Sequence, residues 1–121
     1  MRVLVWDLHE FVECLGVLPE TDEDYTSHTF TVEKDGLRLD LTVFEYVGGV
    51  YIDLRREGVE TPVFSARLTD CEAARYVRDK GGEFIEFAPE GSMNSRRFDE
   101  AFRVPFGVRV AVDPHIKVEL F

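Results

Sequence analysis

LRLDLTVFEYVGGVYIDLRRE, from Leu37 to Glu57, is the stretch whose reading decides the fold. Leu37, Leu39, Leu41 and Val43 alternate with Arg38, Asp40 and Thr42. Successive side chains of a strand point to opposite faces, so this spacing gives one apolar face and one wet face. Gly48-Gly49 supplies two residues that accept positive φ, as a tight hairpin turn requires. Alternation resumes in Val50, Ile52 and Leu54, with Tyr51, Asp53 and Arg55 between them. A two-residue loop would set Val43 opposite Leu54 and would also bring Glu45 onto the apolar face beside Ile52. The crowded run Val43, Phe44, Tyr46, Val47 therefore predicts a bulge or a slipped register near the turn.

Upstream, Thr29 to Glu33 is β-branched and alternating, and Asp35-Gly36 is a hairpin signal leading into Leu37. Residues 29–56 thus read as a three-stranded antiparallel meander. Further back, Asp7 and Glu10 make a capping-box pattern, and Leu8, Phe11 and Leu15 repeat at helical spacing up to Gly16. This predicts a helix over about 8–15, with Arg2 to Trp6 leaning to strand. Val17 to Ser27 reads as a connector.

Downstream, Thr61 to Leu68 predicts a fourth strand, with Pro62 suited to an edge or to a first position. Thr69 and Glu72 repeat the capping-box spacing. Cys71, Ala74 and Val77 share a helical face, and Gly81-Gly82 supplies a stop. A second amphipathic helix over about 70–80 follows from that spacing. Residues 83–88, 108–112 and 116–120 read as strands, and 95–102 as a short helix after a loop. The expected fold is α+β: one domain over 1–121, an antiparallel sheet of five to seven strands, and two short helices on one face.

Composition bounds the function. Apolar residues at 45 % and ten Phe are enough to build a core, which argues against disorder. A net charge of −10 disfavours nucleic acid, whose phosphates need a basic surface. The longest apolar run, Val3 to Trp6, is far too short for a bilayer span, and Asp7 interrupts any signal-peptide pattern. Cys14 and Cys71 are distant and lack metal spacing, so they read as reduced thiols of a cytoplasmic protein.

No motif carries a specific chemistry. His9, His28 and His115 have no His or Cys at ligand spacing, so neither a metal nor another cofactor is expected. Cys71, in the first turn of the expected helix, would be a candidate nucleophile, but a small buried hydrophobe explains it as well. The acidic run at 20–24 lacks the glycine and the final glutamate of an EF-hand loop.

One asymmetry stands out. Asp7, Glu10, Glu13, Glu20, Asp22, Glu23 and Asp24 fall in a span without Lys or Arg, so it holds −7 of the net −10. The other segments hold 17 (24 minus 7) acidic and 14 basic residues. These seven carboxylates are the candidate binding surface, and a basic protein is the partner that such a surface would take. The leading expectation is a non-catalytic interaction module that regulates or neutralises a basic protein. A small-molecule binder with an aromatic-lined cup is the second. An enzyme drawing on His28, His115, Cys71 and Glu72 from distant segments is the third. Oligomeric state is open, with edge strands as the means of pairing.

Overall fold

The computed structural model describes residues 3–80, 82–93 and 104–121. Two antiparallel sheets and one helix share a common core. The helix α1 (Leu8–Leu15) comes first, then β1 (Glu20–Thr21), β2 (His28–Lys34), β3 (Leu37–Phe44), β4 (Gly49–Arg56) and β5 (Phe64–Leu68). The chain continues through β6 (Ala73–Asp79), β7 (Gly82–Ala88), β8 (Val108–Ala111) and β9 (Lys117–Leu120). The first five strands form one sheet in sequence order, and the last four form the second, also in sequence order.

Helix α1 obeys its local signals. The Asp7 side chain accepts from the His9 amide at 2.8 Å, and Gly16 closes the helix at φ 74° with its N–H donating to Val12 O. The meander is also as expected. Asp35 (φ 54°) and Gly36 (φ 76°) make the two-residue turn between β2 and β3, both in the left-handed region that a type I′ hairpin needs. Between β3 and β4 the register is slipped. Val43 pairs with Val50 and Phe44 with Gly49, so residues 45–48 form the turn and Glu45 leaves the apolar face.

Three expectations need correction. The helix over 70–80 is instead strand β6, paired residue by residue with β7 from Ala73↔Ala88 to Asp79↔Gly82. The segment satisfies both periods: Cys71, Ala74 and Val77 are spaced for a helix, but Ala74 and Tyr76 are spaced for a strand facing the core. Pairing with β7 decides for the strand. Glu72 caps nothing; its carboxylate accepts the Met93 amide at 3.0 Å. Among the described residues, the five to seven strands of one sheet become nine in two sheets, with one helix in place of two. The two-residue β1, which sequence reading left inside a connector, supplies part of the difference. The helix expected over 95–102 lies outside the described residues.

The core takes Phe30, Leu39, Leu41, Val43, Val50 and Ile52 from the first sheet, and Ala74, Ile85, Phe87, Val108 and Val110 from the second. Helix α1 adds Phe11, Cys14 and Leu15. On the second sheet's other face Val77 pairs with Phe84; Val77 is half-buried, and Phe84 is buried, with the Arg109 guanidinium over its ring at 4.9 Å. Gly107 is fixed by close approach: a Cβ there would meet Phe87 O at 2.2 Å.

The N-terminal segment ties the two sheets together. Leu4 N–H donates to Glu45 O (2.7 Å), Val5 N–H to Glu72 O (3.2 Å) and Ala74 N–H to Val5 O (3.0 Å). Val5 thus makes a parallel bridge to Ala73 along the outer edge of β6. Of the residues leaning to strand, Arg2 lies outside the described residues, and Val5 alone forms a bridge.

Candidate functional site

The seven candidate carboxylates divide into two groups. Asp7 is committed to the helix cap. Glu10 Oε1 accepts the Tyr76 amide at 2.9 Å and so stitches α1 to the edge of β6. Glu13 pairs with the Arg78 guanidinium. Asp22 accepts the amides of Thr26 (2.6 Å) and Ser27 (2.9 Å) together with the Thr26 hydroxyl, which closes the loop after β1. The Thr26 hydroxyl first, then the Ser27 amide, holds the Asp22 carboxyl below the usual carboxylate range. Glu20, Glu23 and Asp24 are exposed and form no ion pair with a described residue. The structure therefore does not present all seven as one free face. Three remain uncommitted, all in or beside β1.

What holds β1 in place is a polar chain that sequence reading missed. His28, at 8 % exposure, has both ring nitrogens engaged: Nδ1 with the Thr21 hydroxyl at 2.9 Å and Nε2 with Glu45 Oε1 at 3.1 Å. The Trp6 indole N–H donates to the other Glu45 oxygen at 3.1 Å, and the Trp6 ring lies 5.2 Å from the imidazole. Trp6 precedes the α1 cap and Thr21 sits between Glu20 and Asp22. The chain Trp6–Glu45–His28–Thr21 thus links the start of α1 to the acidic strand. Its partners are 7 to 39 residues apart in sequence, so no local pattern announces them.

The residues considered for catalysis do not converge as the enzyme reading required. Cys71 is fully buried, its Sγ placed against Ala88 O (3.1 Å) and Ala73 O (3.7 Å). Burial, outweighing those two contacts, pushes its thiol up to about 12, so it carries no thiolate at neutral pH. Cys14 is raised to about 12 as well, again chiefly by burial. We expect neither thiol to react with iodoacetamide until the protein unfolds. Rapid labelling of Cys71 in the native protein would contradict that. His115 makes an exposed pair with Asp35 at the far end of β2, at 3.1 Å. The aromatic side chains expected to line a cup instead pack on one another: Phe11 with Phe30 at 5.5 Å and with Phe87 at 5.8 Å. Two open clefts lie elsewhere, around Arg38 and Arg55 and around Phe84 and Arg109, and neither is lined by Thr21, His28 or Glu45. No metal-binding cluster occurs among the described residues.

No family model matches the chain, and no curated protein matches it in sequence. The fold has a counterpart among solved structures. A chain of the contact-dependent growth inhibition toxin–immunity protein complex from Klebsiella pneumoniae 342 superposes with a TM-score of 0.76. The match covers 100 % of this chain and 98 % of that one at 14 % identity. At that identity the likeness is one of fold. It extends over the length of both chains, so the α+β fold is shared. No helix among the described residues is long and apolar enough to cross a membrane.

Proposed function

We propose that this chain is a non-catalytic interaction module that binds and neutralises a basic protein, in the manner of an immunity protein. The observation that carries the reading is the full-length fold likeness to a chain from a toxin–immunity complex. Of the two roles in such a complex, the charge favours the neutralising one. Seven of the 24 acidic residues sit in an 18-residue span (7 to 24) without a single Lys or Arg. Glu20, Glu23 and Asp24 are the uncommitted charges that would meet the partner, with Asp7, Glu10, Glu13 and Asp22 shaping the surface behind them. Exposed charges of one sign raise the encounter rate with an oppositely charged protein by about 10- to 1,000-fold and weaken with salt. The partner would be cytoplasmic, like the chain itself, and neither nucleic acid nor a membrane is the target.

The test is capture from lysate of the source cells on immobilised protein, against a variant with Glu20, Glu23 and Asp24 changed to Ser. Asp22 is left intact because its carboxylate closes the loop. The wild type should retain a basic protein that the variant loses at physiological salt. That protein, expressed alone, should arrest growth, and co-expression of this chain should relieve the arrest. Equal capture by both forms at low and physiological salt removes the acidic strand as the docking site. Captured proteins that are harmless when expressed alone remove the neutralising role.

A further inference from the structure

The first sheet ends in two different edges. One carries β1 with its acidic residues. The other is β5, which pairs only with β4 among the described residues. Exposed edges invite pairing with another chain, and proteins usually blunt them with proline, lysine, inward charge or a covering segment. Here β6 is covered by Val5 and Glu10, and the edge strand β9 carries Lys117 and Glu119. β5 is Phe-Ser-Ala-Arg-Leu, with no proline, lysine or carboxylate. Phe64, Ala66 and Leu68 are only half-buried at the margin of the main core, and Val63 just before them is 56 % exposed.

We propose that β5 is the seam of a homodimer in which β5 of a second copy pairs with it antiparallel, centred on Ala66. In that register Phe64 faces Leu68 of the second copy, and Ser65 faces its Arg67. Apolar residues then meet apolar ones on the core side, and a hydroxyl meets a guanidinium on the solvent side. Moving the centre to Arg67 would set the two arginines opposite each other, which cross-strand pairing disfavours. On the solvent side of each copy, Asp53 of β4 orders this pair: it accepts from the Ser65 hydroxyl and from the Arg67 guanidinium at 3.1 Å, and Arg67 stacks over Tyr51 at 4.5 Å.

Charge points to the same edge. β1 is the first strand of the sheet and β5 the last. At about 4.8 Å per strand, nine spacings would separate the two acidic strands of such a dimer by roughly 43 Å. That is several times the Debye length of about 8 Å at physiological ionic strength. Self-association through β5 thus avoids the mutual repulsion of the acidic segments and leaves both free for a partner. It does not depend on the neutralising function. Its salt response also has the opposite sign, because salt screens the residual repulsion between two chains of net −10.

Sedimentation equilibrium over a concentration series tests this. The apparent mass should climb from 13.9 kDa toward twice that value and climb no less readily at high salt. Ser65→Lys, which sets an ammonium against Arg67 of the second copy, should weaken dimerisation about tenfold. Ser65→Glu should tighten it. Ser65 is exposed, and far-ultraviolet circular dichroism checks that both variants keep the fold. A wild type that stays monomeric throughout overturns the proposal. So does a dimer indifferent to both substitutions, which would place the interface elsewhere. A monomer whose capture of a partner fails on Ser65→Lys also overturns it, since the edge would then take the partner's strand.

Discussion

Phe11→Ala should cost about 3–5 kcal/mol, the range for truncating a buried aromatic ring. Small domains have only about 5–15 kcal/mol in total, so roughly a fifth or more of the stability would go with one side chain. Phe11 has 0 % exposure, and it stands where all three parts of the molecule meet. Its ring lies 5.5 Å from Phe30 in the first sheet, 5.8 Å from Phe87 in the second and 4.9 Å edge-on from Trp6. Removing it leaves a void that neither sheet can close without moving against the other. Interiors pack too tightly to relax fully around such a gap. Urea unfolding monitored by circular dichroism gives the number, with Val63→Ala at an exposed site as a control expected within about 0.5 kcal/mol of wild type. A Phe11→Ala loss below about 1 kcal/mol would show that the two sheets do not share this core.

The second large effect is expected at Glu45. Its carboxylate accepts from Trp6 and contacts His28 Nε2, each at 3.1 Å. Glu45→Ala leaves the buried imidazole and the indole N–H without that partner. An unsatisfied buried polar group costs about 1–3 kcal/mol. The consequence reaches function, because His28 in turn holds Thr21 and with it the strand that carries the free carboxylates. Trp6 is the only tryptophan, so the tryptophan emission comes entirely from a member of this network. We expect a red-shifted emission, a lower urea midpoint and loss of amide protection at the β1–β2 pairs Glu20↔Thr29 and Thr21↔His28. An unchanged emission and a midpoint within about 0.5 kcal/mol of wild type would show that the chain from Trp6 to Thr21 does not anchor β1. Since Glu45 is outside the acidic segment, weaker capture of a basic partner by this variant would be attributable to the displaced strand.

Much of the fold could be read from residues close in sequence, because its determinants are local. Helix α1 follows from Asp7 at one end, Gly16 at the other and an apolar stripe between them. The meander follows from alternation and from Asp35-Gly36, and even its slipped register was foreshadowed by the apolar crowding before Gly48. Tertiary structure alone decided the rest. Ala73–Asp79 fits a helix and a strand almost equally by itself. Its pairing with β7 and the covering of its edge by Val5 settle the matter, and both are contacts between separate segments. The acidic segment shows the same division. Its composition was plain in the sequence, but which carboxylates stay free was not. Glu10 is bound by an amide 66 residues away and Glu13 by a guanidinium 65 residues away, whereas Glu20, Glu23 and Asp24 meet no such partner among the described residues. A charge pattern fixes how much negative charge a segment carries, and the fold determines how much of it faces outward, because hydrogen-bond donors from distant strands compete with solvent for each carboxylate.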